Sequence, residues 1–270
     1  MATKTHISKH FPTQTHMIAA ERHKRILSLA RREGTVRTTE LAREYEVTEE
    51  TIRRDLDLLT RRGRLRRIHG GAMDASAALT ELPYTDRQAR QLSEKISIGK
   101  EAVLFLEPNE TILLDASSTA LELASLLPLD MPLRVVTYSL AVVERLLSRE
   151  NVELIQLGGT YEPRGRRFSG LLTEISLRSL RIDRFFYSGG GLDPRHGVSE
   201  PNHEQARLKK LMVQHSAWNC ALIDHTKLGA QADYFITAPE EIHALVCDAA
   251  GQEYAKEHLA EAPYDLRFSA

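Results

Sequence analysis

The stretch TEETIRRDLDLL, Thr48 to Leu59, decides how this chain is read. Thr48 is placed to act as an N-cap, its hydroxyl accepting from a backbone N–H that the helix cannot satisfy. Glu49 and Glu50 fall in the first turn, where carboxylates suit the positive end of the helix dipole. Ile52, Leu56 and Leu59 recur at i, i+4 and i+7 and form one apolar stripe. Arg54 lies almost opposite that stripe, with Arg53 and Thr51 on its flanks. An ordinary solvated helix would spend those arginines on Glu49–Arg53 and Glu50–Arg54 pairs, each worth roughly 0.2–0.5 kcal/mol. The neighbouring residues decide between that reading and a helix shaped to touch a partner.

Upstream, residues 19–34 (AAERHKRILSLARREG) read as a helix with Ile26, Leu29 and Ala30 inward and Gly34 ending it. Val36 to Thr38 reads as extended. Thr39 to Tyr45 reads as a second helix, with Thr38 as its cap and a turn at Glu46–Val47. Two short helices joined by a tight turn match a helix-turn-helix, whose second helix enters the major groove of DNA. Downstream, residues 61–73 (RRGRLRRIHGGAM) read as an arginine-rich hairpin, or wing, with a turn at Gly70–Gly71.

Charge supports the same division. The chain of 270 residues carries 36 Lys and Arg against 37 Asp and Glu, yet the first 73 residues hold 16 against 9. A basic head on an acidic body is the footprint of a nucleic-acid-binding module joined to another function. The length allows two domains with a substantial core. No run of eighteen apolar residues suggests a membrane span. The N-terminus has no apolar signal core, so a cytoplasmic protein is expected. Cys220 and Cys247 lie in apolar strand-like runs and read as buried small hydrophobes.

VTEETIRRDLDLLTRRGRLRRIHGGA strongly resembles the DeoR family of bacterial transcriptional regulators, whose pattern is a TIRRDL helix followed by an HGGA wing. Thr48 stands where that family often has serine. The resemblance implies a winged helix-turn-helix on operator DNA. Thr48, Thr51, Arg53 and Arg54 are then expected at the DNA surface, since arginine pairs bidentately with guanine and threonine contacts a thymine methyl or a phosphate. Arg66, Arg67 and His69 of the wing are expected on phosphate or in the minor groove. Asp55 reads as structural.

Beyond Met73 the pattern alternates. TILLDAS (111–117), LRVVTYS (133–139), VELIQLGG (152–159), DRFFYSGG (183–190), NCALID (219–224) and IHALVCD (242–248) read as strands. ISIGKEAVLFL, STALELASLL, LAVVERLLSR and HEQARLKKLMVQHS read as helices. Alternation of this kind implies an α/β domain with a mostly parallel sheet. Ligands bind such sheets at the carboxyl ends of the strands. There the DASSTA turn offers Asp115, Ser117, Ser118 and Thr119 beside a helix N-terminus that favours anions. SGGGLDP offers a glycine-rich turn, and IDHTK offers Lys227. Arg164, Arg166 and Arg167 read as a solvated loop, with extra anion ligands as the other reading.

This half also looks like the DeoR family, in LLDASSTALELA, VVTYSL and SGGGLDPRHGVSEPNHEQARLKKLM…ALIDHTKLG. The resemblance implies a ribose-5-phosphate-isomerase-like effector domain that takes a phosphorylated sugar or polyol. Ser117, Ser118, Thr119 and Lys227 would hold phosphate. Asp115, Asp193, Glu200 and Glu204 would lie near sugar hydroxyls. Tyr138 replaces the family's usual asparagine, and Gly189–Gly190 replace bulkier residues; Tyr138 and Gly190 are expected to reshape the site, with core packing as the other reading of Tyr138.

The chain then divides into a disordered lead-in (1–19), a winged helix-turn-helix (20–73), a linker (74–95), a sugar-phosphate-sensing α/β domain (96–250) and a tail (251–270) that adds a short helix. The expected partners are double-stranded operator DNA, a phosphorylated effector and further copies of the chain, as a homodimer or homotetramer. No catalytic residue, cofactor or metal site is expected; His196, His203, His215 and His225 are scattered. The rival readings are a sugar-phosphate isomerase and a DNA-binding scaffold with a degenerate pocket.

Overall fold

The helix that opens the reading forms as α3 of a small N-terminal head. The computed structural model describes residues 17–62, 64–68, 70–74 and 81–269 of the chain. The head runs α1 (Ala19–Glu33), β1 (Thr35–Arg37), α2 (Thr38–Glu44), α3 (Glu49–Arg61), β2 (Leu65–Ile68) and β3 (Gly71–Asp74). Its core gathers one stripe from each element: Ile26 and Ala30 of α1, Leu41 of α2, Ile52, Leu56 and Leu59 of α3, and Leu65 of the wing. Thr38 is buried as the first residue of α2 rather than its cap, because Arg37 holds the cap position.

The wing is three-stranded, not a bare hairpin. β3 lies between β1 and β2, antiparallel to both. The two glycines divide the work of the turn. Gly70 has φ +73°, in the left-handed region that disfavours side chains. Gly71 is already in β3, where a Cβ would run into the Val36 carbonyl oxygen of β1.

The stretch expected as a linker entering a helix carries two helical pieces among its described residues. It supplies α4 (Tyr84–Ala89) and the start of α5 (Leu92–Val103). Tyr84 is buried against the body, which a solvated linker would not require. After α5 come β4 (Thr111–Leu114), α6 (Ser118–Ser125), β5 (Leu133–Thr137), α7 (Leu140–Leu146) and β6 (Val152–Gln156). A hairpin, β7 (Thr160–Glu162) and β8 (Arg167–Ser169), leads to α8 (Leu171–Arg178) and β9 (Ile182–Tyr187). Then follow β10 (Gly191–Asp193), β11 (Gly197–Glu200), α9 (His203–His215), β12 (Ser216–Leu222), β13 (Tyr234–Thr237) and β14 (Ala244–Cys247). The stretch expected as a tail adds α10 (Gln252–His258), near the helix foreseen there, and an unforeseen strand, β15 (Asp265–Phe268).

Seven strands make one sheet in the order β15–β14–β12–β9–β4–β5–β6, and every pairing is parallel. Alternate residues feed two cores. Leu113, Val136, Phe185 and Leu245 meet α8, α9 and α10 on one face. Ile112, Val135, Phe186 and Val246 meet α5, α6 and α7 on the other. Burial on both faces explains why these strands read as unbroken apolar runs. Cys220 and Cys247 are free and buried, on opposite faces. No described helix is long and apolar enough to cross a membrane.

From β4 the chain winds outward through β5 and β6, then returns to β9 and winds the other way. The switch point therefore lies between β4 and β9, where α/β sheets open a crevice at the strand ends.

Ile52 is fully buried in the head. Replacing it with alanine should cost the head about 2–5 kcal/mol. Trp218 lies in the body beside Phe105 and Phe186, so its fluorescence reports the body alone. The expected outcome for Ile52→Ala is an early loss of helical circular dichroism on heating, with the Trp218 transition unmoved. A shift of the Trp218 transition instead would contradict a head that packs its own core.

Candidate functional site

The exposed face of α3 is built from its own first turn. Thr48 caps the helix, its Oγ1 accepting from Thr51 N at 3.2 Å. Both anticipated pairs form: Arg53 Nη2 donates to Glu49 at 2.9 Å and Arg54 Nε donates to Glu50 at 3.1 Å. They do not remove the arginines from use. The Arg54 side chain is 78 % exposed and Arg53 54 %, and exposed pairs of this kind are worth little. Either guanidinium can leave its glutamate for a base edge or a phosphate.

Asp55 does hold the helix in place. It is buried, accepts from Arg22 Nε at 2.5 Å and bonds His23 Nε2 at 2.7 Å, both on α1. The wing expectations divide. Arg67 is strapped between Gly71 O (2.9 Å) and Asp57 (3.1 Å), so it joins the wing to α3 rather than reaching out freely. The backbone of Arg66 pairs with Met73 in the wing sheet. His69 and the side chain of Arg66 lie outside the described residues.

A cavity of about 370 Å3 opens at the switch point. Its floor is a buried ion cluster. Lys209 of α9 reaches Asp115 at 3.0 Å, Glu200 at 2.7 Å and Ser188 O at 2.8 Å. Asp115 also accepts from Ser117 N and Ser188 N, tying the loop after β4 to the loop after β9. Burial alone would lower the Lys209 pKa, but the two carboxylates outweigh it and hold the ammonium charged well beyond its ordinary range.

Besides Lys209, four described cations approach the cavity. Lys227 donates to Ser188 Oγ at 3.1 Å and pairs with Asp224 at 3.3 Å. Burial raises the Asp224 pKa, while Lys227 and the Thr226 hydroxyl lower it, and the net effect is downward. Lys95 of α5 donates to the carbonyls of Arg87 and Arg90, the C-terminal end of α4. Burial, followed by the neighbouring Lys227 charge, brings its pKa down to about 8. Arg87 pairs with Glu81 at 3.2 Å, and Arg90 completes the set.

The expected effector residues separate into three groups. Ser117, Ser118, Gly190, Glu200 and Lys227 line the cavity. The Ser117 hydroxyl is committed to capping α6, accepting from Ala120 N, and Ser118 Oγ donates to Arg87 O. Asp115 lies beneath the wall. Thr119 is fully buried and off the wall, with no partner for its hydroxyl among the described residues. Tyr138 is core: its hydroxyl donates to Gln205 Oε1 at 3.2 Å. Asp193 and Glu204 lie off the cavity. Asp193 accepts from Gln231, Arg195 N and His196, bonds that outweigh burial and hold its pKa below the usual carboxylate range. Glu204 is exposed in the first turn of α9. Gly189 and Gly190 line the cavity, but their backs press on Val198, Ser199 and Pro201, where a Cβ has no room.

Sequence reasoning passed over Glu81, Arg87, Arg90, Lys95, Lys209 and Asp224. A signal existed for the lysines. Lys95 sits in register with Ile98 and Ala102, and Lys209 with Gln205 and Met212, on buried stripes where a solvated lysine has no place. Arg167, read as part of a solvated loop, is buried between Glu81 (2.6 Å) and Glu162 (2.7 Å).

Comparison with known proteins agrees with both halves. The DeoR-like helix-turn-helix domain matches residues 22–77, and the DeoR C terminal sensor domain matches residues 90–249. The chain belongs to the DeoR family. It is 34 % identical over 233 residues to the uncharacterized HTH-type transcriptional regulator YulB of Bacillus subtilis, covering 86 % of this chain and 90 % of that one. It is 33 % identical to the HTH-type transcriptional regulator GolR of Listeria innocua, covering 86 % and 91 %. It is 29 % identical to the glycerol-3-phosphate regulon repressor of Escherichia coli K12, covering 86 % and 92 %. DeoR-family membership makes this chain a helix-turn-helix transcriptional regulator with a sensor domain.

The ion cluster gives a direct test of the sensor. Lys209→Met leaves Asp115 and Glu200 buried without their cation, at a cost of about 3–5 kcal/mol. Unpaired and buried, a carboxylate is costly to hold charged, which favours its protonated form. Stability from such groups is present at low pH and lost as pH rises. The melting temperature of the variant should therefore fall further below wild type from about pH 5 to about pH 8. A deficit that shrinks over that range would refute the assignment.

Proposed function

We propose that this chain represses genes of sugar or polyol metabolism in the cytoplasm, and that a phosphorylated sugar or polyol in the cavity modulates its grip on operator DNA. One observation carries the reading: a cavity walled by Arg87, Arg90, Lys95 and Lys227 at the strand-end switch point of a chain that also bears an exposed arginine helix. Such a wall suits an anion, while the Ser118, Glu200 and Gln231 side chains suit hydroxyls. The relative named as a glycerol-3-phosphate regulon repressor supports the same effector class.

The isomerase reading fares worse. Proton abstraction needs a carboxylate base within reach of the substrate carbon. Among the described residues, every carboxylate on the cavity wall has a cationic partner: Glu33 has Arg32, Glu81 has Arg167, Glu200 has Lys209 and Asp224 has Lys227. This supports a sensor that holds a ligand without transforming it. A degenerate scaffold is disfavoured because the cavity is open and charged.

One head reads a half-site, so a two-fold operator calls for two copies. Leu171, Leu172 and Ile175 of α8 are 55 % to 70 % exposed, an apolar surface in keeping with self-association. Sedimentation of the full chain should then show a dimer or tetramer.

Fluorescence anisotropy on DNA from upstream of its own gene, at stated salt, tests the whole reading. The wild-type chain should bind it specifically, and one member of a sugar-phosphate panel should change the affinity by about 5–150-fold. Arg54→Ala should lose about 1–3 kcal/mol of specific binding. Specific binding that no phosphorylated compound alters would remove the sensing half of the proposal.

A further inference from the structure

The cavity is not closed by the sensor alone. Glu33, Gly34, Thr35 and Met73 of the DNA-binding head form part of its wall. Among the described residues, two side-chain hydrogen bonds join the bodies there. Arg37 Nη2 of β1 donates to His225 Nε2 at 2.8 Å, and the other His225 nitrogen bonds Asp248 at 2.8 Å. Arg90 Nη2 donates to the Arg32 carbonyl at 3.3 Å, at the C-terminal end of α1. Gly34, which ends that helix at φ +81°, leaves the space that the Arg90 guanidinium fills.

Arg90 is chemically unlike its neighbours on the wall. Arg87, Lys209 and Lys227 each face a carboxylate. Lys95 is enclosed and spends its donors on two carbonyls. Arg90 has no carboxylate partner among the described residues. Its long bond to Arg32 O satisfies one of five N–H donors and only a fraction of its charge. A phosphate oxygen would make shorter, bidentate, charge-assisted bonds to the same fork. A fork turned into the cavity to meet such an oxygen is drawn away from the end of α1 that it now touches.

We propose that Arg90 is a ligand of the effector's anionic group, and that effector and DNA-binding head compete for it. This rests on the reading of the cavity as an anion-binding sensor. When an anion takes Arg90, the C-terminal end of α1 loses its cation. The head is then held mainly through Arg37 and His225. His225 shares its short 3-10 turn with Lys227, so the second contact is carried by another wall segment. The head is thus both the DNA reader and the lid of the cavity. Ligand entry acts on the reader without any relay through the sheet.

Competition makes a reciprocal demand. A change that loosens the head and leaves Arg90 in place must tighten anion binding, by at most the factor with which the anion loosens the head. The test uses the full-length chain with inorganic phosphate as probe. Calorimetry reads phosphate affinity, and hydrogen exchange reads the peptide spanning residues 26–37. In the wild-type chain, phosphate should speed exchange in that peptide. Arg90→Gln should exchange fast without phosphate and bind phosphate about tenfold or more weakly. Arg90→Lys keeps a charge and should recover part of that affinity. Arg37→Ala, which cuts the other contact and leaves Arg90 intact, should bind phosphate more tightly than wild type. A merely structural Arg90 would not produce that gain. Wild-type phosphate binding with unchanged exchange would overturn this inference alone, as would Arg37→Ala weakening or not changing phosphate affinity. No phosphate binding by the wild-type chain would overturn both this inference and the anion-sensor reading beneath it.

Discussion

The sensor depends on one buried ammonium. Lys209 collects Asp115 from the loop after β4, Ser188 O from the loop after β9 and Glu200 from β11. The first two segments leave the two strands at which the sheet reverses its winding, and β11 belongs to a separate antiparallel sheet. Their backbone groups would diverge there, and the cluster holds them together. Without the ammonium, each carboxylate would be buried at the cost of an ion stripped of water. The ammonium in turn needs both acids. The outcome is a rigid floor at the one place where the sheet opens, and the wall cations stand around it. Such an arrangement serves geometry better than net stability, since buried ion clusters gain little over apolar packing.

How much of this could be read from the residues depends on how local each signal is. The head was legible because cap, first-turn acids, apolar stripe and turn glycines all lie within a few residues of one another. α3 needs only Thr48, Glu49, Glu50 and its own leucines to declare itself. The parallel sheet was legible because strands covered on both faces must be apolar throughout, and TILL, FFY and ALVC are. The cavity was harder. Ser117 and Ser118 mark a strand-to-helix turn in any α/β fold, so the anion reading could not be separated from capping, which Ser117 also performs. Tyr138 read equally as a substitution in a binding site or as core packing, and it is a core residue bonded to Gln205. Glu81 and Arg167 meet across 86 residues, and no local pattern announces such a pair. β15 is short, half-exposed and separated from the other strands by α10, so DLRF carried too little alternation to be recognised.

Two kinds of contact divide the labour between the bodies. Within the head, Asp55 binds α3 to α1 through Arg22 and His23, a buried attachment that fixes the reading helix. Between head and sensor, the side-chain hydrogen bonds among the described residues are single, solvent-reached ones from Arg90 and Arg37. The first kind gives the helix a defined shape. The second leaves the head held weakly enough for a small ligand to matter.

The sheet also has a consequence for how the chain comes off the ribosome. Head contacts join elements close in sequence. The central pair of the sheet, β4 with β9, joins residues some seventy apart, as the bond from Thr111 N to Asp183 shows across a separation of 72. Local contacts form quickly, and distant parallel pairings wait for the intervening chain. The head therefore emerges and folds while β9, Glu200 and Lys209 are still unsynthesised. For that interval the nascent chain has a reading helix and no cavity to govern it. A transcript cut short within the sensor would leave the same species behind: a DNA-binding module deaf to its ligand.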